Sequence, residues 1–277
     1  VAPPVKLAAL SALAAGNLSL PILQPEKLNT SARDLVGALE PDILVCVAYG
    51  KIFGPRFLEM FSYGGINLHP SLLPKYRGPA PVQAAILAGE TTSGITVQGL
   101  GLAMDSGDIL YQETRPIPQD ERADEILNRW AIEGGEMVSR LLSDLVHDRW
   151  KPQPQDESLA TYCRLLTRDY SPVDWTRGAQ EIHNQVRALV PWPLAQTSLQ
   201  GNTLALWRTK VVDQGEWPLG KPGVLVTVDK QRGILVQTGK DLLQILALQP
   251  QYKKEMNWKD FIAGARNLLG VRLGGTQ

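Results

Sequence analysis

The stretch that most constrains the fold lies between residues 42 and 69. DILVCVA (residues 42–48) is a short apolar run rich in Val and Ile, ended by Tyr49 and Gly50. Such a run predicts a strand buried on both faces, as in a parallel sheet. Pro55 opens a short helical pattern, RFLEMF, and Gly64-Gly65 stops it before a second strand from Ile66 to His69. Strand, helix, strand in that order predicts a βαβ unit. The expected fold class is therefore α/β, with a Rossmann-like, doubly wound and mostly parallel N-terminal sheet.

Further along, Val82–Ala88 reads as a helix, and Gly94–Leu100 and Ile109–Pro116 alternate as strands. In residues 123–146, Ile126, Leu127, Trp130, Ile132, Met137, Val138, Leu141, Leu142 and Leu145 recur at roughly helical spacing. This predicts a long amphipathic helix packed across a sheet. DRWKPQPQDES (148–158) is charged and proline-bearing, and reads as an exposed linker. Beyond it, a helix near 177–190 precedes short runs at Thr203–Val212, Gly223–Val228, Ile234–Thr238 and Leu242–Leu248, which predict a small OB-like β-barrel. Tyr162, Trp192 and Trp207 are expected in the interdomain or barrel core. The domains expected are a catalytic one over 1–147, a linker over 148–165 and a barrel over 166–277. At ~150 residues per domain, a chain of 277 agrees with two.

Composition excludes several classes. With 44% hydrophobic and 20% charged residues, the chain is expected to fold around a core rather than remain disordered. No apolar run is long enough to span a bilayer, so a soluble protein with no membrane partner is expected. Cys46 and Cys163 are the only cysteines, too few for a disulfide framework, which fits a reducing cytoplasm. Net charge is zero, but from Leu206 onward 11 Lys and Arg face 6 Asp and Glu. That basic C-terminal part is a weak pointer to phosphate-rich ligands, and is equally ordinary surface scatter.

The chemistry-bearing block is GINLHPSLLPKYRG, residues 65–78. Residues i and i+2 of a strand face one side, so Asn67 and His69 project together at the C-terminal end of theirs, where open α/β sheets place ligands. A carboxamide can donate to an oxyanion, and an imidazole can move protons near neutral pH or stabilise the same oxyanion when charged. Pro70 and Pro74 stiffen the exit from the strand. Within LGLAMDSGD (100–108), Asp105 is placed to accept from His69 or a water, while Asp108 closes the turn with Gly107. On these residues alone, His69 stays open between a structural and a catalytic histidine, and Asp105 between a turn cap and a catalytic carboxylate.

The block NLHPSLLPKYRG, with Asp105 in AMDSGD 36 residues after His69, resembles the signature of the folate-dependent formyltransferases. The likeness extends through Ala48–Phe53, Asp156–Tyr162, Pro191-Trp192-Pro193, Leu248-Gln249-Pro250 and Lys253–Met256. These C-terminal blocks are most similar to the branch that acts on methionyl-tRNA. The resemblance implies a formyltransferase fold and transfer of a formyl group from the co-substrate 10-formyltetrahydrofolate to the α-amino group of methionyl-initiator tRNA, with no metal. It implies that Asn67 and His69 stabilise a tetrahedral oxyanion while Asp105 orients His69 and a proton-relay water. It implies a pterin pocket formed by Tyr49, Gly50, Lys51, Ile52 and Phe53 with Leu102, Ala103 and Met104. Substrate contacts are expected from Ser71, Leu72, Leu73, Pro74 and Arg77, and tRNA phosphate contacts from Lys210, Lys253, Lys254 and Arg266. A monomer is expected.

The family pattern begins ahead of Val1, so the resemblance implies a leading segment with two further strands and a basic loop. Without it, the strand at 42–48 is expected to keep an unpaired edge, and the chain to be poorly soluble or inactive. Other readings stand beside this one. They are a formyltransferase for a nucleotide-linked amino sugar, a hydrolase releasing formate from the folate, and an inactive RNA-binding fragment.

Overall fold

A computed structural model describes residues 3–17, 19, 21–147, 149–217 and 219–274. Two compact units are resolved, one of Val1–Leu44 with Gly50–Gly65, the other of Val45–Tyr49 with Ile66–Gln277. In the first unit, Pro at the first turn opens helix α1 (Pro4–Ala14), an Ala- and Leu-rich segment in which no residue is buried. Helix α2 (Thr30–Gly37) starts where the Asn29 side chain accepts from the Ala32 amide at 3.1 Å. Helix α3 (Pro55–Leu58) again has Pro at its start and buries Phe57.

The chemistry lies in the second unit. Its first sheet runs β1 (Leu44–Val47), β2 (Gly65–His69), β3 (Thr92–Gly99) and β4 (Ile109–Pro116), in that spatial order. The α/β class holds, but β2 pairs β3 and β3 pairs β4 antiparallel, where a mostly parallel sheet was expected. For β3 and β4 the reason is connectivity: residues 100–108 turn β3 straight back into β4, with no helical crossover between them. Strand β1 was expected to be buried on both faces. Cys46 is buried, while Val45 and Val47 are 39% and 53% exposed, so only one face of β1 is covered among the described residues.

Alternation gives this sheet two unlike faces. Ile66, Leu68, Ile95 and Val97 form the apolar face, and helix α5 (Ala123–Val146) packs on it through Ile126, Trp130, Met137 and Leu141. The predicted helix and the observed one coincide, except that Ile132 points outward. Gly134 lets α5 approach: a Cβ there would sit 2.6 Å from Leu68 Cδ2. Gly134→Ala is therefore expected to cost about 1–3 kcal/mol by overpacking, read as a lower urea midpoint. The opposite face is polar, because Asn67 lies across from Gln98 and His69 across from Thr96, which in turn pairs with Gln112.

Helix α4 (Pro81–Leu87) precedes β3, and helix α6 (Ala179–Ala188) opens the C-terminal part. There, strands β5 (Ala195–Leu199), β6 (Asn202–Val212), β7 (Leu225–Asp229), β8 (Gly233–Gln237), β9 (Leu242–Pro250) and β10 (Met256–Asn257) form one antiparallel sheet. Its order is β5-β6-β9-β8-β7, with β10 beside β9, and helix α7 (Trp258–Gly264) follows. The core gathers Ile182, Val186, Leu206, Val236, Leu243 and Leu248. The barrel predicted here is not closed by any strand ladder among the described residues. Irregular segments occupy the two edges instead: Gln196 of β5 bonds Ser171 and Val173, and Leu225 of β7 bonds Gly270 and Val271.

Tyr162 and Trp192, expected in a core, are exposed, whereas Trp207 is half-buried with its indole N–H on Gln249. Of the expected linker 148–165, Asp148 lies outside the described residues, as do residues 275–277 of the expected barrel domain. The rest of that segment does more than connect. Gln153 pairs with Ile109, and Tyr162 forms a parallel bridge with Arg77.

Candidate active site

The polar sheet face carries the site. Asn67 and His69 stand two apart on β2, and the loop after β3 returns Asp105 to them. Asp105 Oδ1 lies 3.5 Å from Asn67 Nδ2, and Oδ2 lies 3.7 Å from His69 Nδ1. Both carboxylate oxygens are also anchored: Gln98 Nε2 donates to Oδ1 at 2.9 Å and the Gly78 amide to Oδ2 at 2.8 Å. Asp105 itself has φ +51°, a left-handed conformation that Asp tolerates better than most residues. The three residues singled out from sequence therefore meet at one point.

The geometry also assigns the imidazole proton. His69 is 4% exposed, and its Nε2 lies 2.9 Å from the Tyr76 carbonyl. A carbonyl only accepts, so Nε2 carries the hydrogen and the neutral ring turns its Nδ1 lone pair toward Asp105. Burial pushes the His69 pKa below its ordinary 6.5, and the opposing pull of Asp105 and of the Tyr76 carbonyl does not restore it. His183 is likewise lowered by burial; it bridges Thr209 Oγ1 and the Gln119 carbonyl, beside Asp120 and Arg187. Two histidines held neutral bind fewer protons folded than unfolded. Their stabilising contribution is complete above the unfolded value near 6.5 and is lost as pH falls toward the lower folded values. Urea midpoints are expected to be flat from pH 8 to about 7 and to decline below about 6.5; the decline should shrink in His183→Gln.

The Pro-rich loop forms one wall of the site. Ser71 and Leu73 are buried, with Ser71 Oγ donating to the Lys75 carbonyl at 2.7 Å, while Leu72 and Pro74 are half-buried. The Leu73–Pro74 peptide is cis, and the Gln112 side chain donates to the Leu73 carbonyl. Arg77, expected among the substrate contacts, is 1% exposed, and all five of its N–H donors are taken by Gln155, Glu157 and Tyr162. No donor remains for a phosphate.

Leu102, Ala103 and Met104 are exposed beside Asp105 and form an apolar rim. Tyr49 is exposed at the end of β1. Gly50, Lys51, Ile52 and Phe53 belong to the first unit, where Lys51 Nζ bonds the Pro25 carbonyl, Phe53 stacks near Phe57 and Ile52 is exposed. Lys210, Lys253, Lys254 and Arg266 are all exposed on the C-terminal part. Sequence reasoning missed Gln98 and Gln155, which hold the Asp105 loop. Among the described residues no group of three or more His, Cys, Asp or Glu is arranged for a metal ion, and no helix is long and apolar enough to cross a membrane.

Residues 3–142 match the family model described as formyl transferase, and residues 166–266 the formyl transferase C-terminal domain. A methionyl-tRNA formyltransferase of Treponema denticola is 39% identical over 254 residues, covering 91% of this chain and 79% of that protein. The chain belongs to the methionyl-tRNA formyltransferase family. It is thereby an enzyme of formyl-group transfer. Among solved structures, the family member from Clostridium thermocellum superposes with a TM-score of 0.58 at 19% identity, covering 76% of this chain and 90% of that one. HypX from Aquifex aeolicus, solved with tetrahydrofolic acid, gives 0.65 at 19% identity over 84% of this chain. This chain spans only 40% of HypX, and both likenesses speak to fold alone.

Proposed function

We propose that the chain transfers a formyl group from 10-formyltetrahydrofolate to the α-amino group of methionyl-initiator tRNA in the cytoplasm, at Asn67, His69 and Asp105. The observation that carries this reading is the convergence of those three side chains within 3.7 Å on the polar face of the sheet. The folate supplies an activated formyl carbon. Around that carbon, the Asn67 amide donates to the developing oxyanion, in a half-buried site where such a bond is worth more than in water. The amine nitrogen bonds to carbon and sheds a proton through a water held at Asp105. The proton rests between Asp105 and His69 Nδ1, giving an imidazolium that also stabilises the oxyanion. It then passes to the folate nitrogen as the carbon–nitrogen bond to the folate breaks.

The exposed cations Lys210, Lys253, Lys254 and Arg266 suit tRNA phosphates. The test is transfer of labelled formyl from 10-formyltetrahydrofolate to methionyl-initiator tRNA by this chain. Formyl-methionyl-tRNA as the product supports the reading. Formate released at the same rate without tRNA would make the chain a hydrolase, and transfer to a nucleotide-linked amino sugar alone would move it to another branch.

A further inference from the structure

Gln155 lies in PQPQDES, a composition that reads as linker, yet its side chain is fully engaged beside the site. Its Oε1 accepts from Arg77 Nε at 3.1 Å and from Nη2 at 2.8 Å. Its Nε2 donates to the Asp105 carbonyl at 2.9 Å and the Gly107 carbonyl at 2.7 Å, with Gln98 Oε1 at 3.3 Å. An amide has one accepting and one donating end, and a guanidinium only donates, so Arg77 determines which way the Gln155 amide faces. Arg77 is itself fixed by a fork on Glu157, 2.9 Å and 2.7 Å, and by the Tyr162 hydroxyl at 3.0 Å.

The loop so held cannot place itself. Asp105 sits at a left-handed φ, and Gly107 passes so close to β3 that a Cβ on it would lie 1.8 Å from the Gly99 carbonyl. Gln98 and Gly78 hold the Asp105 carboxylate, but among these contacts only Gln155 holds the Asp105 backbone. We propose that Arg77 and Gln155 are positioning residues, which together keep Asp105 within reach of Asn67 and His69. The proposal deepens the reading above and rests on it, since Asp105 is there the proton-relay carboxylate. It also explains why an arginine with no donor left for substrate occupies the signature block.

The test compares wild type with Gln155→Met, Gln155→Glu and Arg77→Lys. Gln155→Glu keeps a partner for Arg77 but turns lone pairs toward the two carbonyls. Arg77→Lys keeps the charge but loses the fork. In each, kcat is expected to fall about 10- to 100-fold, as when a supporting hydrogen bond behind a reacting group is lost. KM for methionyl-tRNA should stay within about threefold, because the contacts removed do not touch it. With three histidines in the chain, the imidazole resonances can be followed one by one by NMR. The negative charge of Asp105 raises the His69 titration midpoint, so its displacement in Gln155→Met should lower that midpoint and leave that of His183 in place. An unmoved His69 midpoint in Gln155→Met overturns the proposal whether or not kcat falls, because Asp105 would have stayed put. Should the wild-type chain transfer no formyl group, the reaction assigned above fails, and the His69 midpoint still decides what positions Asp105.

Discussion

Replacing His69 with alanine is expected to lower kcat/KM for formyl transfer by about 10³-fold, the product of a lost proton carrier and a lost oxyanion partner. The ring is buried, so the change also removes the imidazole donor from the Tyr76 carbonyl, leaving it the long Cys163 thiol contact at 3.8 Å, and costs about 1–3 kcal/mol of stability. That cost leaves the protein folded at 25 °C, which a cooperative thermal melt would verify before the assay. His69→Gln separates the two effects, since a glutamine amide can still donate to Tyr76 but cannot hold a proton near neutral pH. Its stability should recover while its rate does not. A His69→Ala protein keeping more than a tenth of wild-type kcat/KM would remove His69 from the chemistry.

Gly78→Ala should damage fold and site together. Gly78 has φ +113°, a conformation L side chains rarely adopt, and a Cβ would lie 2.4 Å from the Cys163 carbonyl and 3.3 Å from its sulfur. Neither neighbour can yield cheaply, because the Cys163 amide is bonded to the Arg77 carbonyl at 2.8 Å. The Gly78 amide is also a donor to Asp105, so any backbone shift moves the carboxylate. A loss of about 3 kcal/mol or more, with transfer reduced at least as much as in His69→Ala, is expected. The matched control is Gly135→Ala in α5, where an added Cβ meets nothing within 4 Å and helix propensity predicts a gain of about 0.5–1 kcal/mol. Equal Tm values for Gly78→Ala and wild type would show that the backbone there is looser than drawn.

Much of this was readable from the chain, and the reasons differ by residue. Asn67 and His69 were legible because strand alternation is local, and α5 because its apolar stripe repeats over many turns. Asp105 was only half legible, since a turn aspartate and a catalytic one look alike until the fold brings it to His69. Gln98 left a trace, sharing with Thr96 the polar positions of the alternating run GITVQG, but Gln155 left none, because its partner Arg77 is 78 positions away. Arg77 was illegible for the same reason: an arginine after a ligand-facing loop suggests a substrate contact, and only tertiary contact shows its donors already engaged. Likewise, alternation predicted the strands of the C-terminal sheet but not whether their edges would meet.

The segment from Gln153 to Cys163, which bonds back onto Ile109 and Arg77, has a consequence for the order of events on the ribosome. Strands β2 and β3, with Asn67, His69 and Asp105, are synthesised well before Gln155. At roughly 5–20 residues per second, the clamp on the Asp105 loop follows Arg77 by several seconds. During that interval the nascent chain holds Asn67, His69 and Asp105 but lacks the Gln155 side chain that bonds back onto the Asp105 loop, so the hydrogen-bonded site is completed only late in synthesis.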